Sequence, residues 1–228
     1  ILAAIGFLFD TYELLMTPLV APAALAELLK VPQNNPLVTA WVGKLLWITA
    51  LCGGVFGLLG GWLTDKLGRK TVMAAAIFIY SFSPVAAAFS KTLEAFVFFR
   101  CTTFIGVCVE FVAAITWLSE VFEDRKQRER WLGITQAFAS LGGVLVTLMS
   151  KWISEHPVAL PSLGLPAGLG GAAAANWRYL LLTGMLPAIP IALLLPFVPE
   201  PRLWKERRAA GILKRPGFGE LFSPQLRR

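Results

Sequence analysis

The sequence has 228 residues, of which 56% are hydrophobic and only 15% are charged, and its formal net charge is +7. This composition excludes an ordinary soluble domain, in which about a quarter of the residues are charged. Apolar stretches of about 20 residues recur along the chain, the length that a helix needs to cross roughly 30 Å of hydrocarbon. The sequence therefore predicts a helical, multi-pass membrane protein.

Six membrane spans are predicted in chain order, separated by polar or proline-rich breaks. The spans cover 1–24, 38–61, 71–89, 93–118, 131–153 and 177–198, and the breaks are 27–36, 62–70, 90–91, 119–130 and 154–176. We expect an all-α fold in which residues 1–198 form one six-helix bundle and residues 199–228 form a basic, non-spanning linker. Because the sequence does not begin with Met, we also expect it to be a piece of a longer chain, without a cleavable signal peptide.

Basic residues are concentrated on one side of the predicted membrane. The breaks after spans two and four and the segment after span six hold most of the 21 lysines and arginines, whereas the opposite side holds only Lys30, Lys91, Lys151 and Arg178. Positive residues remain on the cytoplasmic side of a membrane. The distribution predicts that both ends of the segment face the cytoplasm, and it explains the net charge without a nucleic-acid partner.

The first span carries two acidic residues within an otherwise apolar stretch, ILAAIGFLFDTYELLMTPLVAPAAL. Gly6, Asp10, Glu13 and Thr17 follow steps of four, three and four residues, which place them on one face of a helix. An ionised side chain at the centre of a bilayer costs about 2.5–3.5 kcal/mol on insertion scales. The stripe is therefore predicted to face a watery cavity inside the bundle rather than lipid.

Span four carries a second polar stripe, which contains a basic residue and an acid. Its members are Arg100, Thr103, Val107, Glu110, Ala114 and Trp117. An arginine near the membrane midplane keeps its proton, so Arg100 needs an acidic partner or an anionic ligand. Asp10 or Glu110 can instead take up a proton, which is the requirement of a proton-coupled site. A buried structural ion pair is the alternative, and spacing alone leaves the acid that meets Arg100 undetermined.

The other spans give weaker indications. Gln136, Ser140, Gly143 and Thr147 form a polar stripe on span five, which fits contact between helices as well as it fits a cavity lining. Spans three and six carry no charge in their interior, and we expect them to face lipid. Lys44 in span two is interpreted as a residue that extends its ammonium group to the membrane surface.

No catalytic, metal or cofactor site is predicted. Cys52, Cys101 and Cys108 lie in apolar spans, where thiols are typical packing residues, and His156 lies in a polar break. The sequence contains no recognisable nucleophile–base pair, phosphate-binding loop or zinc cluster. We expect no enzyme activity and no cofactor.

The break after span two, with its preceding residue, reads GWLTDKLGRK (61–70). This stretch resembles the G-x-L-a-D-r-x-G-r-k signature of the major facilitator superfamily, at the place where that signature lies. Gly61 suits a close approach of helices, Gly68 a tight turn and Asp65 a pairing with a cation. In the family this loop latches two halves of the transporter together in the outward-open state, so the resemblance implies a conformational latch here.

Further stretches along the chain are similar to the same family. RCTTFIGVCVE (100–110) resembles the R-x3-G-x-G-x-G-g-E pattern, with Phe104 and Cys108 in place of glycines, and VPEPRLW (198–204) and ELFSPQLRR (220–228) resemble the end of span six and the approach to span seven. Glu120 followed by Arg128 resembles the E-x-x-P-x3-R element, without its proline. The implied latch residues are Gly61, Asp65, Gly68, Arg69, Glu120 and Arg128.

Within the superfamily, FDTYE (9–13) is similar to the F-D-x-Y-D motif of proton symporters for aromatic acids, sugar acids and related metabolites. In those proteins the acids of spans one and four take part in proton coupling. The resemblance implies Asp10 and Glu110 as proton-coupling residues, with Glu13 as a further candidate. Candidates for binding the solute are Arg100, Tyr12, Gln136 and Trp117.

The family fold has twelve spans in two six-helix bundles, each bundle made of two inverted three-helix repeats. We therefore expect this chain to be the N-terminal half, with a C-terminal six-helix half of the same polypeptide as its partner. The expected function is proton-coupled symport of a small organic, anionic solute across the inner cell membrane by alternating access. A drug/proton exporter and a non-transporting receptor on the same scaffold are the alternatives.

Overall fold

The computed structural model describes residues 2–122, 124–156, 176–186, 189–190, 193 and 202–210, and all regular structure in these residues is helical. Eight α-helices have both ends among these residues: α1 (Leu2–Leu29), α2 (Pro36–Leu67), α3 (Arg69–Ala88), α4 (Leu93–Val121), α5 (Arg125–Ala139), α6 (Leu141–Glu155), α7 (Asn176–Leu182) and α8 (Arg202–Ala209). A short 3₁₀ turn, Thr183–Met185, continues α7.

Five helical stretches are long and apolar enough to cross a membrane, which confirms the first five predicted spans. They are Ala3–Leu29, Pro36–Leu67, Arg69–Ala88, Leu93–Val121 and Arg125–Glu155. The last of these contains both α5 and α6, which meet at Ser140. The sixth predicted span begins as α7, but most of it beyond Leu186 lies outside the described residues, as do the inverted repeat it would complete and most of the linker.

The helices extend beyond the apolar spans, so the predicted breaks 62–70 and 119–130 are largely helical. Asn35, Thr92 and Asp124 cap α2, α4 and α5 by accepting hydrogen bonds from backbone N–H groups of the first turn. Hydropathy marks where the membrane ends, whereas these caps mark where a helix ends. Gly68 is the single residue between α2 and α3, and its positive φ of 103° favours glycine.

Helix α4 lies at the centre of the bundle, and small residues bring its neighbours close. A Cβ on Gly106 of α4 would lie 2.8 Å from the Cβ of Tyr80 and 2.9 Å from the carbonyl oxygen of Ala76, both on α3. On α2 the close approach to α4 occurs at Gly53 and Gly60. Gly61 is not a point of close approach, since a Cβ there would meet only Val112, at 3.8 Å. Glycine therefore sets the spacing of α4 from both α2 and α3.

Helix α1 packs against α4 on one side and against α5 and α6 on the other. Gly142 of α6 lies directly on the backbone of α1, where a Cβ would collide with the carbonyl group of Leu8. Helices α3 and α7 pack behind α1 and α4. The core thus places α1 and α4 side by side, with α2 and α5 at their flanks.

Candidate functional site

A cavity of about 550 Å³ lies between α1, α2, α4 and α5. Its walls are largely apolar and include four glycines of α2. The lining residues are Phe7, Asp10, Thr11, Leu14, Gly53, Gly54, Gly57, Leu58, Gly61, Val107, Cys108, Phe111, Val112 and Gln136. Of these described lining residues, Asp10 alone is ionisable as a carboxyl group. Helices α3 and α7 contribute none of them, and the prediction that spans three and six face lipid stays a prediction.

Asp10 forms an acidic pair with Glu110 of α4. Asp10 is 4% exposed and Glu110 is fully buried. The Glu110 carboxyl lies against Gly6, one turn before Asp10, where a Cβ would stand 3.3 Å from its carboxyl carbon. None of the four carboxyl oxygens has a hydrogen-bond partner among the described residues. Two neighbouring buried acids without a hydrogen-bond donor, at the wall of a cavity, form a place where one proton can be held.

Glu13 and Arg100 form a second buried pair, behind the cavity wall. The Arg100 Nη1 atom lies 3.6 Å from the Glu13 Oε2 atom, and Nη2 donates to the Glu13 backbone carbonyl at 3.3 Å and to the Thr17 hydroxyl. Both side chains are fully buried. The stripe on α1 therefore divides in two, with Gly6 and Asp10 facing Glu110, and Glu13 and Thr17 facing Arg100.

The charged turn of α1 also contacts the start of the sixth span. The Tyr12 hydroxyl is hydrogen-bonded to the Thr183 hydroxyl. Gly184 lies against the Glu13 carboxyl and Pro84, and a Cβ at Gly184 would stand 2.9 Å from the Cβ of Pro84. Glu13 is thus enclosed by α1, α3, α4 and the turn after α7.

The predicted latch residues gather at one end of the bundle. Arg69 lies 2.7 Å from Asp65 and 2.8 Å from Glu120, measured from Nη2 to the carboxylate oxygens, and its Nη1 donates to the Thr64 carbonyl at 3.1 Å. Trp204 of α8 donates its indole N–H to the Asp65 backbone carbonyl at 3.0 Å. Arg128 forms no ion pair with these residues.

Of the predicted solute-binding residues, the structure brings only Gln136 to the cavity. Arg100 and Tyr12 are fully buried with the partners described above, and Trp117 is half-buried away from the lining. Gln136, Ser140 and Thr147 of the span-five stripe are exposed, so they join no helices within the part of the chain that the structure describes. Lys44 is also exposed, with its ammonium 4.9 Å from the centre of the Trp41 ring.

Sequence reasoning missed two buried polar residues. Tyr80 of α3 is fully buried, in one cluster with Phe7 and Val107, which line the cavity together with Asp10. Arg178, predicted only as a basic residue at the far membrane surface, is 1% exposed and pairs with Glu27 at 2.6 Å. The sequence signal for Tyr80 was a tyrosine within a span that carries no charge. The signal for Arg178 was the NWR sequence at the start of α7.

Comparison with known proteins agrees with the family resemblance of the sequence motifs. The sequence profile of the Major Facilitator Superfamily matches residues 2–227. The chain is 28% identical over 201 residues to the niacin transporter NiaP of Acinetobacter baylyi, covering 86% of this chain and 39% of that protein. It is 30% identical over 196 residues to the glucose transport protein of Synechocystis, with shares of 86% and 39%. These relatives are transporters rather than enzymes.

The fold is also similar to that of a solved transporter. The inward-open xylose transporter XylE from E. coli matches with a TM-score of 0.73 at 20% identity, covering 94% of this chain and 50% of that chain. At 20% identity this structural similarity confirms only the predicted all-α fold. The chain spans about two fifths of the length of the curated relatives it matches.

Proposed function

This chain belongs to the Major Facilitator Superfamily, and we propose that it forms the first six-helix half of a proton-coupled secondary transporter. In this proposal the protein carries a small organic solute across the membrane by alternating access around the cavity between α1 and α4. Residues 1–198 form the bundle and residues 199–228 the linker to a C-terminal half of the same polypeptide. That partner is supported by the length of the relatives, which exceed this chain more than twofold.

The observation that carries the proposal is the Asp10–Glu110 pair at the cavity wall. Two neighbouring buried carboxyl groups repel each other when both are ionised, and one proton removes that repulsion. Asp10 reaches the cavity, from which a proton can enter, whereas Glu110 lies behind it. The pair therefore suits uptake and release of a single proton during a transport cycle.

The Glu13–Arg100 pair supplies a means of coupling the proton to an anionic solute. Arg100 is held by Glu13 and Thr17, so its charge is not available to a solute in the cavity. Neutralisation of Glu13 would leave the guanidinium without its counter-charge, and a solute carboxylate could then replace it. Tyr12, Gln136 and Trp117 complete the proposed solute-contacting set, of which Gln136 lines the cavity now.

Orientation and latching follow from the same proposal. Both ends of the segment face the cytoplasm in the inner membrane, where the positively charged ends of α2, α3 and α5 lie. The cluster of Arg69 with Asp65 and Glu120 then lies on the cytoplasmic side, next to the proposed second half. Gly61, Gly68 and Arg128 complete the proposed latch.

Transport assays test the coupling. A thermal-stability screen with niacin, cis,cis-muconate, glucose and phosphate, solutes in the names of relatives, selects the probe, because ligand at about 100 times its Kd stabilises by roughly 2.7 kcal/mol. Uptake of that solute is then measured in proteoliposomes of the full-length protein, with and without a pH gradient. We expect Asp10→Asn and Glu110→Gln to lose stimulation by the gradient.

Glu94→Gln is the matched control, because Glu94 is an exposed acid in the first turn of the same helix as Glu110. It should retain the stimulation. Gradient-driven uptake at the unaltered level in both Asp10→Asn and Glu110→Gln would overturn the coupling proposal.

The apolar cavity wall favours a second candidate function, a drug/proton exporter. Phe7, Phe111, Leu14 and Leu58 line the cavity together with one acid, and no lysine or arginine is among its described lining residues. Such a wall suits an apolar cation. Proton-driven accumulation of ethidium inside inverted membrane vesicles, rather than proton-driven uptake of an organic anion, would favour the exporter over the symporter.

A further inference from the structure

Tyr80 is a buried tyrosine of α3, a helix that contributes no described lining residue to the cavity. Its side chain on α3 is fully buried, and its hydroxyl has no hydrogen-bond partner among the described residues. Buried polar groups are nearly always paired, because an unmade hydrogen bond costs about 1–3 kcal/mol. The position of this hydroxyl therefore needs an explanation.

The charged groups around the phenol are the acids of the candidate site. Tyr80 belongs to one buried cluster with Phe7 of α1 and Val107 of α4, and both of these residues line the cavity together with Asp10. Arg100, the basic residue of this region, is already bonded to Glu13 and Thr17. Cys108 of α4, which lines the cavity together with Asp10, is a weak donor. The phenol O–H is thus a strong hydrogen-bond donor, without a partner among the described residues, that is available to the acidic pair.

Helix packing fixes the position of Tyr80. Gly106 of α4 lies against both the Cβ and the backbone nitrogen of Tyr80, and a Cβ there would stand 2.8 and 2.9 Å from these atoms. Gly106 lies one turn before Glu110 on the same helix. The close approach of α3 to α4 at Gly106 therefore also sets the position of Tyr80 relative to Glu110 along the axis of α4.

Counting donors and acceptors connects these observations. The carboxyl groups of Asp10 and Glu110 present four oxygens, none with a donor among the described residues. A proton shared between the two acids supplies one donor, and the phenol of Tyr80 supplies another. Donation to an ionised carboxylate is roughly twice as strong as a neutral hydrogen bond.

We propose that Tyr80 is a positioning residue of the proton site, which donates its hydroxyl proton to the Asp10–Glu110 pair while that pair holds a single shared proton. The inference rests on the proposed proton site and adds a residue to it from a third helix. Hydrogen bonds at such sites are often long in the resting structure and tighten in the working state. The phenol stabilises the negative charge that remains on the pair. Helix α3 is thereby linked to the protonation state of the acids on α1 and α4.

Infrared spectroscopy of the full-length protein in proteoliposomes tests this without any solute. The difference between spectra at low and high pH contains the C=O stretch of protonated carboxyl groups, and the band lost in both Asp10→Asn and Glu110→Gln belongs to the pair. In Tyr80→Phe, which keeps the ring and removes the hydroxyl, we expect that band to shift to higher wavenumber because the carboxyl group loses a donor.

Ser81→Ala is the control, because Ser81 is the next residue of α3 and its buried hydroxyl likewise lacks a partner. It should leave the band in place. An unchanged band in Tyr80→Phe, or an equal shift in Ser81→Ala, would overturn the proposal.

A second measurement keeps the test valid if Tyr80→Phe does not fold. Incorporation of 3,5-difluorotyrosine makes each phenol a stronger donor, so the band of the pair should move to lower wavenumber. No movement overturns the proposal. The transport proposal fails separately, since unaltered gradient-driven uptake in Asp10→Asn and Glu110→Gln leaves the infrared result intact.

Discussion

The buried cluster around Arg178 should contribute substantially to the stability of the fold. Its Nη2 atom lies 2.6 Å from Glu27 at the end of α1, and its Nη1 donates to the carbonyls of Ala88 and Ser90 at the end of α3. The Trp177 indole N–H also donates to Glu27, at 2.9 Å. One guanidinium at the start of α7 therefore joins the ends of three elements.

The expected cost of Arg178→Gln follows from this burial. Removing one partner of a buried ion pair costs about 3–5 kcal/mol, because the remaining charge is left uncompensated. For a unit of 150–250 residues each kcal/mol corresponds to about 2–4 °C in melting temperature. We therefore expect the melting temperature of the purified protein, followed by tryptophan fluorescence, to fall by at least about 6 °C.

Arg125→Gln provides a control with nearly the same ion-pair geometry. Arg125 pairs with Glu129 at 2.7 Å, but the two side chains are 82% and 60% exposed. Exposed pairs of this kind contribute little to stability. Equal melting temperatures for Arg178→Gln and the unaltered protein, or equal losses in Arg178→Gln and Arg125→Gln, would refute the reasoning from burial.

Two glycines give further predictions. Gly106→Ala should destabilise by about 1–3 kcal/mol through overpacking against Tyr80 and Ala76, whereas Gly43→Ala, with no atom within 4 Å of its added Cβ, should be neutral or stabilising in thermal unfolding. Gly68→Ala should cost about 1–2 kcal/mol, because its φ of 103° is strained for any residue with a Cβ, and a melting temperature equal to that of Gly43→Ala would contradict this.

The sequence predicted the spans and the face of α1, because hydropathy and helical periodicity are local properties. Asp10 and Glu13 could be placed on one stripe from spacing alone. Their partners could not, since both acids had spacings compatible with Arg100. The choice of Glu13 depends on the rotation and tilt of α1 against α4, which packing sets at positions such as Gly142 and Gly184.

Tyr80 and Arg178 escaped prediction for a related reason. Tyr80 belongs to a span without charge, and its relevance appears only when Gly106 brings α3 against α4. Arg178 stands at the start of a span, where a basic side chain usually extends to water. Here Glu27 and the carbonyls at the end of α3 bind it instead, and those contacts join residues about 90 to 150 positions apart.

The positions of the three buried ionic clusters bear on how this half moves in the proposed cycle. The Arg69 and Arg178 clusters lie at opposite ends of α3, which is about 30 Å long for its 20 residues. They join the ends of neighbouring helices through ion pairs and backbone carbonyls, and neither includes Asp10, Glu13 or Glu110. Only the middle cluster, between α1 and α4, contains the acids proposed to change their proton. A change of protonation would thus act at the cavity wall while both ends of the bundle remain joined, which favours motion of this half as a rigid body.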